Sequence, residues 1–408
     1  MDKAKDLRNL KIFWFGFIVY TLSYTISITE YVNYVFCQSL QIVALFLIFY
    51  ASVRLIKRKI DNDYLKAFYI IYLLFQVTII VRGFQFEYKF VKYMLFDLRY
   101  GFLIYFVPIV MLFPKDLIYL KKVFTTIIIL GIFFIIYDLI FISDLLYPYG
   151  RNVRSQSIIE TFVQALSIPS GFLLLTYSYH SKKWKLFAIL IIVLTLIFSL
   201  IRARRGLIFI SLNMLIFAYF LYYFSNKKKI INTIFSIILF SILIFMVERV
   251  YNENRKGLFS FFESRKTEDT RQNVENCFYR GMSNIDWIIG KGINGTYYCP
   301  RIDNGTFESY RTVIETGYFQ IILKGGIVSL ALLLLIAIPA MIKGLFYSKN
   351  ILSKGCGLWI LLFLIESYPG TFNTFTMHYI LVWISIGICF SSEIRNMEES
   401  EMKKILSS

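Results

Sequence analysis

Stretches of eighteen or more apolar residues recur along the whole of this chain, and that recurrence leaves it few ways to fold. Each is long enough to cross a hydrocarbon core of about 30 Å as a helix, the one element that satisfies its own backbone groups within a single segment. The predicted spans are 12–29, 34–53, 64–82, 98–114, 122–143, 160–180, 184–201, 206–224, 230–250, 313–342, 354–369 and 374–391. They take up most of the 408 residues, of which 57% are hydrophobic and only 17% charged, so no separate soluble domain is expected. The expected fold is all-α: a polytopic transmembrane bundle of about twelve spans, one membrane domain over 1–408. A single large hydrophilic loop, 251–312, is inserted between spans and is expected to hold short helices. The tenth stretch is too long for one perpendicular crossing, which puts its first turns at or outside the interface. The N-terminal Met1–Lys11 segment runs into the first span with no small-residue cleavage site, and reads as the start of a transmembrane helix rather than a removed signal peptide.

The formal net charge of +18 would suggest nucleic acid in a soluble protein. Here much of it is topological, and no nucleic-acid partner is expected. With an even number of spans and the N-terminus in the cytoplasm, every cytoplasmic loop is basic and Lys predominates, as at Lys182, Lys183 and Lys185 or at Lys227–Lys229. The short outer loops around 30–33 and 367–373 contain neither Lys nor Arg. Both termini are therefore expected in the cytoplasm. The exceptions are informative. Outer basic residues include Arg82, Arg99, Arg151, Arg154, Arg202, Arg204 and Arg205, with more along the long loop, so some need other than insertion retains them.

The sharpest local feature is Ile201-Arg-Ala-Arg-Arg-Gly206, a minimal turn between two apolar spans. Three guanidinium groups within four residues repel one another, and each costs about 2.5–3.5 kcal/mol if drawn to mid-bilayer. They either snorkel to headgroups or pair with carboxylates, or else form an anion site in which Arg offers a bidentate fork to phosphate. In the long loop Val274, Phe278, Met282 and Ile285 recur at helical spacing, with Arg271, Glu275 and Arg280 on other faces. Such a helix packs across the top of a bundle. Gly290-Lys-Gly-Ile-Asn-Gly295 follows, a turn that by itself proves nothing about phosphate. At the loop's end, Glu315 and Lys324 open an otherwise apolar helix; they either seal its end by ion pairing or supply a carboxylate that accepts a proton from an attacking hydroxyl. Asp138, Glu160, Gln164, Glu248, Glu366 and His378 are isolated polar residues in the outer halves of their spans, which argues for a cavity open to that side. Five cysteines show no metal-ligand spacing, and no metal or other cofactor is expected. Cys277 and Cys299 share the loop and would bridge if it is extracytoplasmic.

Two stretches resemble the O-antigen polymerases (Wzy-type) and O-antigen ligases. Leu200-Ile-Arg-Ala-Arg-Arg205-Gly206 is similar to that family's Ser-Arg-Gly element opening a helix. The run from Arg271 through Gly290-Lys-Gly292 to Glu315-Thr-Gly-Tyr318 and Lys324-Gly-Gly326 looks like its large periplasmic loop and following helix. Glu315 stands where many ligases have His, a departure that weighs against ligase activity. The resemblance implies a metal-independent glycosyltransferase in the bacterial inner membrane, a surface-polysaccharide polymerase. It would transfer a growing glycan from undecaprenyl pyrophosphate to the next lipid-linked repeat unit, with room for a chain-length regulator protein as partner. Ligase action and non-enzymatic lipid-linked oligosaccharide flipping are the alternatives. By that register Glu315, Arg205 and Arg271 are the expected catalytic residues, and Arg202, Arg204, Arg154, Arg280, Arg311 and Tyr318 the expected substrate contacts.

Overall fold

The computed structural model describes residues 3–57, 60–114, 116–146, 153–225, 249, 252–254, 263, 271–300, 309–371 and 373–406. Candidate span 230–250, with Glu248, lies almost wholly outside them, as do Arg151 and the side chain of Arg154. Eight helices among the described residues are long and apolar enough to cross a membrane, and the chain is by that measure a multi-pass, all-α membrane protein. Helices α1 (Lys3–Ser27) and α2 (Tyr34–Leu55) form a hairpin; α3 (Asp63–Gly83) follows. A short α4 (Tyr88–Phe96) leads to α5 (Leu117–Ile140) by way of an irregular apolar segment. The chain then continues through α6 (Ile142–Leu146), α7 (Val153–Phe162), α8 (Ser170–Leu175), α9 (Lys182–Ile201) and α10 (Arg205–Ser225). A π-helical turn at Val163–Ser167 precedes α8 within the continuous crossing Ser157–Leu175.

Three expected spans come out short. Residues 98–114 form a 3-10 helix at Phe102–Leu112, because Pro108 lacks the amide that an α-helix needs at mid-span. A 3-10 helix rises about 2 Å per residue, so these eleven residues still cover about 22 Å. The Tyr69 hydroxyl donates to the Pro108 carbonyl at 2.9 Å. The stretches 354–369 and 374–391 give helices of sixteen and fourteen residues, Ile351–Glu366 and Met377–Phe390.

Past the undescribed stretch, α11 (Arg271–Gly281) and α12 (Asn284–Ile289) replace the single amphipathic helix read from the sequence. Ser283 starts α12 with a reciprocal cap to Asp286, which ends the first helix and leaves Ile285 exposed rather than in line with Val274 and Phe278. Val274, Phe278 and Met282 pack with Tyr297, Ile322 and Leu323 in a small core on top of the bundle. Cys277 and Cys299 are disulfide-bonded within it, their Cα atoms 5.2 Å apart. A two-residue ribbon pairs β1 (Tyr297–Tyr298) with β2 (Tyr310–Arg311) in antiparallel register.

Helices α13 (Gly317–Phe346), α14 (Ile351–Glu366) and α15 (Met377–Phe390) make the centre of the bundle, with α3 and the 3-10 segment against α13 and α15 and with α10 against α14. Trp359, Trp383, Phe172 and Phe363 are fully buried there. The chain closes with α16 (Ser392–Asn396) and α17 (Glu399–Leu406), which underlie the bundle: the Glu399 carboxylate accepts from the Tyr179 hydroxyl at 2.9 Å and from the Ile351 amide at 2.8 Å.

Helix α13 is broken at Gly326, which takes φ 67° and ψ −176°. The expectation that its first turns stand apart from the crossing thus has a definite cause. From Ile327 to Phe346 the remaining segment is about 30 Å long, one bilayer crossing. The loop amides take up two α13 carbonyls beside the break and one in the last turns of α3, so none of these three faces lipid unsatisfied. Leu323 O accepts from the Lys291 amide at 2.8 Å, Lys324 O from the Gly292 amide at 2.9 Å, and Ile79 O of α3 from the Ile293 amide at 2.9 Å. Gly290, itself at φ 73°, lies so close to the Gly325 and Gly326 amides that a Cβ on it would overlap them, and a Cβ on Gly326 would overlap the backbone of Ile288 and Ile289.

Candidate functional site

The arginine turn is a helix-ending motif built on an unusual residue. At the end of α9 the Ala203 amide donates to Leu200 O at 3.1 Å and the Arg204 amide to Ser199 O at 2.8 Å, the paired bonds of a Schellman ending. The left-handed position, commonly Gly, is here Ala203 at φ 52°. This geometry separates the three guanidinium groups. Arg202 turns inward and is 1% exposed; Arg204 turns to a carboxylate; Arg205 starts α10 on the exposed surface.

The carboxylate is Glu160, on α7. It receives Arg204 Nη1 at 2.8 Å and Arg99 Nη1 at 3.2 Å, so one acid joins two arginines from different parts of the chain. Arg99 is held in place by Asp97, whose Oδ1 accepts from the Arg99 amide at 2.6 Å and from the Tyr100 amide at 3.0 Å, a local turn that short acidic side chains favour. Sequence reasoning singled out Arg99 as an outer basic residue and Glu160 as a lone acid in an apolar span, but did not bring them together. The signal was there in their each violating the local charge pattern on the same side.

A second cluster forms where the loop meets the bundle. Arg271, the first residue of α11, pairs through Nε with Glu315 Oε2 at 3.4 Å and donates through Nη2 to Pro369 O at 2.8 Å. One turn on, Glu275 accepts from the Thr316 hydroxyl at 2.6 Å. The Thr371 hydroxyl donates to Ile314 O at 3.1 Å, and the Tyr318 amide to Ser367 O at 3.1 Å. Glu315 itself stands before the helix, with Thr316 at its N-cap, and over half of its side chain is exposed. The two clusters share the Pro369 turn: the Cα of Gly206 faces Pro369 O closely enough that an added Cβ would touch it at 3.5 Å. Tyr100 lies within electrostatic reach of both Glu160 and Glu315. Beneath the turn, His378 Nε2 and Glu366 Oε2 are 3.4 Å apart in full burial, and Glu366 O holds the Gly370 amide at 3.1 Å. Neither residue of this pair was linked to the other by the sequence.

Other expected site residues fall elsewhere. Arg280 is exposed at the last turn of α11. Arg311 lies in the ribbon opposite Tyr297, where burial pushes the phenol up to about 12 against the pull of the Arg311 guanidinium; Tyr297 is a neutral donor at pH 7, to Val313 O at 3.0 Å. The Tyr318 hydroxyl donates to Leu364 O, which ties α13 to α14. Arg154 lies near the start of α7. The Gly290–Gly295 turn is no phosphate cradle: the amides of Lys291, Gly292, Ile293 and Gly295 all bond to backbone carbonyls.

Between α3, the 3-10 segment and α13 opens a polar cleft with an inner cavity of about 40 Å³, reached by Arg99, Tyr100 and Thr371 from the site and by Gln320 and Lys324 from α13. No family model matches the chain, and neither does any curated protein or solved structure.

Proposed function

We propose that the chain is a glycosyltransferase of the bacterial inner membrane that polymerises surface polysaccharide on its outer face. The reading is carried by one observation: Arg271 with Glu315, and the Arg205–Gly206 helix start, meet at a single surface turn around Pro369. In this reading the chain makes twelve crossings with both termini in the cytoplasm, including 230–250 and the three short segments. The Cys277–Cys299 bond supports an oxidising, outer location for the loop.

The chemistry follows from the groups present. A lipid carrier brings its pyrophosphate to the headgroup level, where Arg205 and Arg271 neutralise it by charge-assisted hydrogen bonds. The acceptor hydroxyl of the next repeat unit attacks the anomeric carbon of the donor glycan. The bond from that carbon to the pyrophosphate oxygen breaks, and undecaprenyl pyrophosphate leaves with both bonding electrons. The hydroxyl proton passes to the Glu315 carboxylate, whose exposure gives a substrate access. Arg204 and Arg99, held by Glu160, fix the floor of the site and add positive potential beneath it. Energy stored in the pyrophosphate linkage makes ATP unnecessary.

The test is the glycan ladder of a deletion strain complemented with wild type, Arg205→Ala, Arg271→Ala or Glu315→Gln. Glycans stalled at a single repeat unit are expected for the deletion and for each variant, with membrane insertion unchanged. Full-length polymer left on the carrier would make the protein a ligase instead, and an undisturbed ladder in the deletion strain would end both enzymatic readings.

A further inference from the structure

Helix α11 carries a stripe whose outer end the reacting cluster leaves unused. Arg271, Glu275 and Tyr279 stand at i, i+4 and i+8 and share one face, while Val274 and Phe278 turn away into the small core. At 1.5 Å per residue the stripe runs about 12 Å from the arginine to the tyrosine. Tyr279 is 46% exposed. Its ring lies nearly parallel to that of Trp287, with centroids 5.9 Å apart and planes 19° apart, and edge-on to Phe319 at 5.4 Å. Tyr368, 72% exposed, precedes the proline whose carbonyl holds Arg271. Tyr279 is within electrostatic reach of both Glu275 and Tyr368, so rings and carboxylate form one patch.

The polar edges of the patch say what fits it. Among the described residues, no protein group bonds to the hydroxyls of Tyr279 and Tyr368 or to the Trp287 indole N–H. Glu275 takes the Thr316 hydroxyl on Oε1 at 2.6 Å, and its Oε2 is left to accept another donor. A carboxylate among the rings keeps acyl chains away, since a charge without a partner is not buried in hydrocarbon. A pyranose meets both demands. Its flat side is a sheet of C–H bonds, weakly positive at hydrogen, which seats on the negative face of an aromatic ring; its rim of hydroxyls both donates and accepts. The stripe begins at the Arg271–Glu315 pair and is longer than one sugar ring is wide, so the rings face a sugar beyond the one that reacts.

We propose that Tyr279, Trp287 and Tyr368 form a stacking platform for a pyranose ring of the glycan, with Glu275 Oε2 accepting from one of its hydroxyls. This rests on the glycan reading above and deepens it: the platform holds the chain outward of the reacting bond, so the site grips more than the lipid pyrophosphate.

Saturation-transfer NMR on the full chain in nanodiscs tests this. The probes are oligosaccharides of one and two repeat units, cut from the producing strain's own surface polysaccharide. They should receive saturation, strongest at the C–H protons of one sugar ring. Tyr279→Ala and Trp287→Ala should each weaken the response about fivefold or more, as loss of an aromatic contact does. Tyr279→Phe should keep most of it. Tyr279→Leu, which fills the space against Phe319 without a ring, and the exposed Tyr368→Ala should weaken it while leaving the melting midpoint unchanged. No saturation, a response indifferent to the rings, or full binding by Tyr279→Leu would overturn the proposal. So would quenching of Trp287 by brominated acyl chains, measured as the difference from Trp287→Phe, since the rings would then belong to the lipid interface. The glycan ladder is read separately. A stalled deletion strain without fragment binding removes the platform alone, whereas fragment binding with an undisturbed ladder removes the polymerase and leaves a glycan-binding surface.

Discussion

At the scale of single residues, the site depends on a backbone angle at Ala203. An L-residue in the left-handed region is strained by about 1–2 kcal/mol, and Gly relieves that at a smaller entropic loss. Ala203→Gly should therefore raise the midpoint of thermal unfolding in detergent slightly, by about 0.5–1 kcal/mol of stability, whereas Ala203→Val should lower it. Glu160→Ala leaves two half-buried guanidinium groups facing each other, a loss of about 2–3 kcal/mol after allowance for their partial exposure. The double variant Glu160→Ala/Arg204→Ala should recover part of that loss; strict additivity in the same melts would show that the three do not act as a unit. The arginine cluster was legible in the sequence as a cluster, because three cations between apolar spans have few explanations. Its division into an inward, a paired and a surface arginine was not, since it follows from one φ angle that no local pattern announces. The pairing of Arg99 with Glu160 was illegible for another reason: sixty-one positions separate them, and only the packed bundle brings them together.

At the scale of elements, eight of the expected spans have counterparts among helices long and apolar enough to cross a membrane, because hydrophobic length is nearly sufficient to define them. The 3-10 segment was not legible, although Pro108 marked it, because a proline alone does not say whether a helix kinks or tightens. The break at Gly326 was half-legible as excess length. Gly326→Ala adds a Cβ against the Ile288 and Ile289 backbone at a positive φ, and should destabilise by about 3 kcal/mol or more. Its signature should be protease sensitivity of the 271–300 segment before any loss of helical signal in circular dichroism. Replacing Cys277 and Cys299 together by Ser removes a bridge across 22 positions, worth about 3 kcal/mol to the loop's folded form. Limited proteolysis should then cut between α11 and the ribbon at a rate that reducing agent no longer changes; an unaltered rate relative to wild type would mean that packing alone holds the loop.

At the scale of the molecule, the charge pattern of the loops makes a claim about sidedness that labelling checks. A cysteine placed at Tyr298 should react with a membrane-impermeant maleimide on intact spheroplasts, and one placed at Lys182 only after permeabilisation; the opposite order would invert the whole topology. Sidedness was readable because insertion acts on each loop's charge separately. How the helices pack was not, because apolar faces turned to lipid and to neighbouring helices have the same composition. The splice between the 291–293 amides and the carbonyls of α13 and α3 has a consequence for how such a protein comes apart. A lid resting on a bundle would lift off first and leave a stable membrane part. Here, peeling the outer segment away would strand three carbonyls in helices that continue across the bilayer, so the outer segment and those two helices should lose their structure in one cooperative step, and hydrogen exchange should report a single free energy of opening for all three.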